Sequence, residues 1–156
     1  MKKLLILLVI LTTQAFAETN VEKFFTRAQG HWTHVNSQIS GSDGLGKFTQ
    51  FSLTIAREAR GWSVYEESCL VMASSEEEEC GETWSIYTLS GGNLVLVTTE
   101  GKIPLEIIAS LPTKLNYRYS QGTQKHLYKF SFNSAGNMVI ETHMALINRA
   151  IVLRKQ

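Results

Sequence analysis

The stretch KLNYRYSQGTQKHLYKFSFN, residues 114–133, decides the fold of this chain. On both sides of its central turn, Gln121-Gly122-Thr123, aromatic or apolar side chains occupy every second position. A period of two places successive side chains on opposite faces of a β-strand. Two such runs joined by a short glycine turn predict an antiparallel hairpin with one aromatic face.

The period of two continues along most of the chain on either side of this hairpin. Candidate strands lie at about 31–40, 47–57, 62–72, 82–89, 93–99, 103–109, 115–121, 125–133, 137–146 and 149–155. Short connectors separate them, and such even spacing is typical of an antiparallel meander. Ten consecutive strands would leave open edges unless the sheet closed on itself. We therefore expect an all-β fold, a single antiparallel up-and-down β-barrel of about 8–10 strands.

Two segments have helical features. Thr19 or Asn20 can cap a short helix that ends near Gly30, and its apolar stripe would consist of Val21, Phe24, Phe25 and Ala28. Residues 103–110 are open to two interpretations, because Pro104 suits the first turn of a helix and the alternation suits a strand. The expected architecture is therefore a short N-terminal helix followed by the barrel.

The start of the chain has the three parts of a secretory signal peptide. Lys2 and Lys3 precede an apolar run at residues 4–11, and Ala15-Phe16-Ala17 offers a small-x-small cleavage site. The apolar run is far shorter than the roughly 20 residues that a membrane span requires. We expect residues 1–17 to be a signal peptide, residues 18–156 to be one barrel domain, and the protein to be periplasmic or secreted, without a membrane span.

Charge and cysteine content fit an exported domain. The chain has 15 Lys and Arg and 14 Asp and Glu, so loss of Lys2 and Lys3 with the leader leaves a net charge of −1. A nucleic-acid partner is not expected, because it would require clustered basic residues. In an oxidising compartment, the only two cysteines, Cys69 and Cys80, are predicted to form a disulfide bond.

The sequence Gly30-His31-Trp32, directly after the short helix, resembles the calycin superfamily of lipocalin-like small β-barrels. In that family a Gly-x-Trp stands at this place. The resemblance implies that Trp32 packs at the closed end of the barrel beneath a basic residue of the last strand, either Arg154 or Arg149. It also implies a binding protein for a small hydrophobic or amphipathic ligand.

A haem-binding branch of the same superfamily holds its haem with a histidine near the C-terminus. His143 falls in a comparable region, although the glycine-rich continuation of that branch is absent after Trp32. Haem bound through His143 is therefore the one cofactor that the resemblance suggests.

The aromatic side chains of the strands are the candidate ligand-binding residues. Rings supply apolar contact area, and phenol hydroxyls can orient a ligand. Two interpretations stay open, because the same rings could also fill a solid core. The candidates are Trp32, Phe51, Tyr65, Trp84, Tyr117, Tyr119, Tyr128 and Phe130.

An acidic run, Glu76, Glu77, Glu78 and Glu79, precedes Cys80. Four adjacent glutamates lack the spacing and the glycine of a calcium-binding loop. We interpret them as the solvated tip of a hairpin whose stem is fastened by Cys69 and Cys80. An alternative function follows, in which this loop binds a basic protein partner as a periplasmic interaction or inhibitor module.

The sequence offers no catalytic or metal-binding motif. There is no Gly-x-Ser-x-Gly, no His-Glu-x-x-His and no cysteine expected to be free. His31 and His34 are three residues apart, which places them on opposite faces of a strand. His126 and His143 lie on neighbouring candidate strands, but no Asp or Cys joins them at ligand spacing. No catalytic residue and no metal ligand are predicted.

Overall fold

The computed structural model describes residues 20–41, 46–72, 77–145 and 147–156, without the side chains of residues 40, 41 and 72. The proposed signal peptide and Thr19 lie outside these residues. Ten strands follow one helix: β1 (Gly30–Gly41), β2 (Gly46–Glu58), β3 (Gly61–Met72), β4 (Glu78–Ser90), β5 (Asn93–Thr98), β6 (Gly101–Leu111), β7 (Lys114–Gln121), β8 (Gln124–Phe132), β9 (Met138–Met144) and β10 (Ile147–Lys155).

The strands form one closed antiparallel barrel. Each strand pairs with its neighbours in the chain, and β1 pairs with β10 to close the sheet. This confirms the fold class predicted from the alternation. Residues 103–110 belong to β6, so the helical interpretation of that segment was wrong. Leu105 is buried and Ile103 and Ile107 pack against the core, which is the period of a strand with one covered face.

The short helix, α1, covers residues 20–28 and closes one end of the barrel. Phe25 stacks on Trp62 with ring centroids 4.6 Å apart, and Phe24 contacts Phe132 at 5.5 Å. Asn20, which lies within the described helix, donates its side-chain amide to the Ser110 carbonyl at 3.1 Å. Within the described ranges, no helix has both the length and the apolar character that a bilayer crossing requires.

Trp32 lies beside this closed end, and Lys155 supplies the cation that packs over it. The Trp32 indole donates to the Ala28 carbonyl at 2.7 Å, and the Lys155 ammonium lies 5.5 Å from the ring centroid. The expectation of Arg154 or Arg149 was wrong. Register explains the difference: Trp32 is paired with Lys155, whereas Arg154 is paired with Thr33 and points to the other face.

The glycine of Gly-x-Trp has a steric reason. Gly30 has a φ of +123°, and a Cβ at this position would lie 2.6 Å from Cε of Lys155. A larger residue would therefore displace the lysine side chain that covers Trp32.

The disulfide between Cys69 and Cys80 is present, as predicted. The two residues are directly opposite in the β3–β4 ladder and fasten the hairpin that carries the acidic run. β4 extends beyond β5, its neighbour on the other side, and pairs with it only from Ile86 to Ser90. In the described part of the sheet, residues 78–85 of β4 therefore pair with β3 alone.

Candidate functional site

The barrel encloses a cavity of about 440 Å³. This volume lies within the usual range of small-ligand sites, roughly 300–1,000 Å³. The exposed residues Trp84 and Glu100 contribute to the wall, so the cavity reaches the surface between β4 and the β5–β6 turn. Of the two interpretations left open by the sequence, the structure has a cavity rather than a solid core.

The structure brings most of the candidate ligand-binding residues together around this cavity. Two of the eight are elsewhere: Trp32 packs beneath Lys155, and Tyr65 lies on the outer face of β3. The six that line the cavity are Phe51, Trp84, Tyr117, Tyr119, Tyr128 and Phe130.

Tyr65 and Trp84 differ from the other candidates because they are paired across β3 and β4 on the outer face. The Tyr65 hydroxyl donates to Glu82 at 2.5 Å, and this hydrogen bond, with burial as a smaller cause, raises the pKa of Tyr65 to about 12. Trp84 remains 52% exposed at the edge of the cavity. On β3 the inward positions are instead Val64 and Glu66, which both line the cavity.

A row of polar side chains crosses the inner wall. Arg149 is paired with Thr142, Thr142 with Tyr128, and Tyr128 with Tyr117, so the four residues follow one another across β10, β9, β8 and β7. Cross-strand partners share a face of the sheet. The row therefore presents a guanidinium and three hydroxyl groups to the same cavity, whose lining includes all four residues.

The next row toward helix α1 is apolar. Ile151, Ile140, Phe130 and Leu115 are paired in the same way, one row nearer the closed end. Phe130 contacts Phe24 of the helix with ring centroids 6.2 Å apart. The cavity thus has an apolar floor and a polar belt above it.

Three tyrosines at the cavity, Tyr87, Tyr117 and Tyr119, are held as neutral groups. The hydroxyls of Tyr87 and Tyr117 are hydrogen-bonded at 2.6 Å, and burial raises the pKa of both well above the ordinary value. Tyr117 and Tyr128 are stacked at 5.3 Å, and burial also raises the pKa of the adjacent Tyr119. Neutral phenols can donate hydrogen bonds to an anionic or carbonyl oxygen without repelling it.

Arg149 and Glu66 are the two charged residues on the inward positions of this wall. Nε of Arg149 is buried and has no hydrogen-bond partner among the described residues. Burial raises the pKa of the Glu66 carboxyl, and the positive charge of Arg149 offsets part of this rise. No ion pair within 4.0 Å joins the two side chains in the described part of the chain.

Arg149 and Glu66 line the cavity, although neither was predicted to do so from the sequence. An inward position could have been predicted for Arg149, because it stands two residues before Ile151 and four before Leu153, which are both buried. Charged residues are usually placed outside by such reasoning, since isolated buried charges are costly. A ligand cavity is the setting in which that rule fails.

Comparisons with known proteins add resemblances of fold. No protein-family model matches the chain, and no curated protein matches it. A solved structure titled REP1-NXSQ fatty acid transporter is 11% identical, with a TM-score of 0.49 over 84% of this chain and 97% of that chain. A point mutant of that transporter is also 11% identical, with a TM-score of 0.47 over 84% of this chain and 99% of that one.

The described residues do not support haem binding through His143. His143 follows the inward-facing Thr142, and its Nδ1 is hydrogen-bonded to the Asn148 side chain at 2.8 Å. Successive residues of a strand face opposite sides, so His143 points away from the cavity. His126 occupies an inward position, stacked on Tyr119 at 4.7 Å, so these two histidines do not share a site.

One group with metal-ligand geometry exists among the described residues: Cys69, Glu78 and Cys80. Both sulfurs are in the disulfide bond, so no thiolate is available to a metal ion.

Glu76 of the predicted partner-binding loop lies outside the described residues. Glu78 accepts a hydrogen bond from Thr49, and Glu79 is exposed.

Proposed function

We propose that this chain is an exported binding protein for a small amphipathic ligand with an apolar body and an anionic group. The single observation that carries the proposal is Arg149, a guanidinium without a hydrogen-bonded partner at Nε, in the wall of a cavity with an apolar floor. The apolar body of the ligand would lie toward helix α1, and its anionic group would meet Arg149 and the two tyrosines of the polar belt, Tyr117 and Tyr128.

Energetic considerations favour a ligand with both parts. Burial of a methylene group contributes about 0.8 kcal/mol, so a chain of several methylenes dominates the affinity. A hydrogen bond to a charged group contributes roughly 1.5–3 kcal/mol and fixes the orientation of the ligand. The planar guanidinium of Arg149 can bind a carboxylate through two parallel hydrogen bonds.

Export and a calycin-like origin are part of the same proposal. The signal-peptide pattern of residues 1–17 supports export, and a disulfide bond is typical of proteins in oxidising compartments. Gly30, Trp32 and Lys155 at the closed end support the calycin-like interpretation, because they supply the glycine, the tryptophan and the covering cation.

Replacing Arg149 with methionine tests the proposal. Met keeps the length and apolar stem of the side chain but removes the charge, so dodecanoate should bind roughly 10- to 100-fold more weakly. Binding of dodecanol should change little. Arg154→Met is the matched control, because Arg154 is exposed on the outer face of the same strand.

Isothermal titration of the mature chain, below the micelle concentration of each probe, measures these affinities. Equal losses for dodecanoate in Arg149→Met and Arg154→Met would contradict a specific role for Arg149. Absence of binding by both dodecanoate and dodecanol to the folded wild type would overturn the proposed function.

A second candidate function is favoured by the edge of β4. Residues 78–85 pair with β3 but not with β5 in the described sheet, and exposed edges can add an extended peptide as a further strand. Glu78, Glu79 and Glu82 lie on this strand together with the exposed Trp84. We propose that a basic extended segment of a partner protein is the occupant of this edge.

A peptide of about ten alternating lysine and valine residues can probe this surface, because it has the length of a strand and the opposite charge. Binding should weaken with added salt, and the double variant Glu78→Gln, Glu79→Gln should bind up to about fivefold more weakly per charge removed. Glu100→Gln, in the β5–β6 turn, serves as the control. Binding that is insensitive to salt and to the double substitution would exclude this surface.

A further inference from the structure

Among the described residues that line the cavity, Glu66 is the one carboxylate at a strand position that points inward. It is paired with Leu53 of β2 and with Thr83 of β4, and neither neighbour carries a charge. Glu66 lines the cavity, and no hydrogen bond connects it to another described residue. An amphipathic ligand in the cavity therefore shares its space with a carboxyl group that has no hydrogen-bond partner among the described residues.

The other titratable groups around the cavity define the field that acts on Glu66. Arg149 faces it from β10 and favours its ionised form. Tyr87 of β4 and Tyr117, Tyr119 and Tyr128 of β7 and β8 line the same cavity, and burial keeps the first three protonated. Glu82 and Glu100 contribute from the exposed side, where solvent screens their charge.

These positions create competition for one positive charge. Arg149 and Glu66 line the same cavity, and the positive charge of Arg149 favours the ionised form of Glu66. An anionic ligand bound at Arg149 would neutralise that charge and add a negative charge near Glu66. Two negative groups in a low-dielectric cavity oppose each other, and protonation of the carboxyl removes the repulsion.

We propose that the cavity takes up a proton from solvent together with the anionic ligand, and that Glu66 is the group that receives it. This inference rests on the proposed function, since it requires an anion at Arg149. Protonated Glu66 is a hydrogen-bond donor, so it can also contribute a hydrogen bond to the bound anion.

The direction of the pH dependence follows from linkage. Burial has already raised the pKa of Glu66 in the free protein, and the bound anion would raise this pKa further. The complex then holds more protons than the free protein at pH values between the two pKa values. Affinity for an anion is therefore highest below the pKa of Glu66 in the free protein and decreases as pH rises through the pKa of the complex.

A sulfonate probe separates protein protons from ligand protons. 1-Decanesulfonate stays ionised throughout the accessible pH range, so any proton taken up on binding belongs to the protein. Calorimetric titration in two buffers with different ionisation enthalpies counts that proton, at several pH values between about 5 and about 8.

We expect wild type to take up a fraction of a proton per ligand, approaching one where the two pKa values bracket the pH. Affinity should decrease about tenfold for each unit by which the ligand raises the pKa of Glu66. Glu66→Gln should abolish the uptake, flatten the pH profile and bind the probe more tightly at neutral pH. Glu67→Gln, on the outer face of the same strand, should behave as wild type.

Three results would count against the inference. Binding without proton uptake would overturn it and leave the proposed function intact. Uptake that persists in Glu66→Gln would assign the proton to another group of the protein and would also overturn it. Absence of binding by both 1-decanesulfonate and dodecanoate would overturn the inference and the proposed function together.

Discussion

Replacing Trp32 with alanine is expected to lower the free energy of unfolding by about 3–5 kcal/mol. The Trp32 side chain is 2% exposed, and it contacts Phe132 at 5.8 Å between ring centroids. The substitution would remove this packing, the hydrogen bond to the Ala28 carbonyl and the contact with the Lys155 ammonium. Denaturant unfolding followed by fluorescence or circular dichroism measures the change.

Trp84→Ala is the matched control, because it removes the same side chain from a position that is 52% exposed. Surface substitutions usually change stability by no more than about 0.5 kcal/mol. A loss for Trp32→Ala as small as that for Trp84→Ala would contradict the structural role assigned to the Gly-x-Trp sequence.

Removal of the disulfide, as Cys69→Ser with Cys80→Ser, is expected to cost about 3 kcal/mol of stability. The bond joins residues 11 positions apart, and it restricts the unfolded chain at that loop. The effect should concentrate at the β3–β4 hairpin, because residues 78–85 have no second strand beside them in the described sheet. Hydrogen exchange of the β4 amides would show this local loss of protection.

Wild-type protein in a reducing agent is the appropriate comparison for the double serine variant. Both should unfold at the same denaturant concentration, below that of oxidised wild type. Equal stability of oxidised wild type and the variant would show that the hairpin does not depend on the bond.

Most of the fold could be predicted because each strand and each connector can be recognised from its own residues. Each strand alternates in polarity, and each connector contains turn residues, so the order of elements follows from the sequence alone. Residues 103–110 were ambiguous only in isolation; pairing with β5 and β7 makes them a strand. The Lys155 contact could not be predicted, since it depends on the β1–β10 register, which contains a shift between His34 and Asn36.

The candidate site was predictable only in part. Which residues line it depends on which of the two faces of each strand turns toward the inside of the barrel. In β3, aromatic or charged side chains occur on both faces, as Glu66 and Tyr65 show. Pairing of Leu53 with Glu66 turns the carboxylate inward and sends Tyr65 to the outer face. Whether inward rings meet or leave a cavity depends on barrel dimensions, which periodicity does not encode.

In the proposed function, the barrel holds an anionic amphiphile with its charged group at Arg149. A crystal structure of residues 18–156 with dodecanoate would show where the charged group of the ligand lies. We expect the carboxylate within hydrogen-bond distance of the Arg149 guanidinium and of a tyrosine hydroxyl of the polar belt, with the alkyl chain toward Phe130 and helix α1. An interior filled by side chains, with dodecanoate absent or bound outside the barrel, would contradict it.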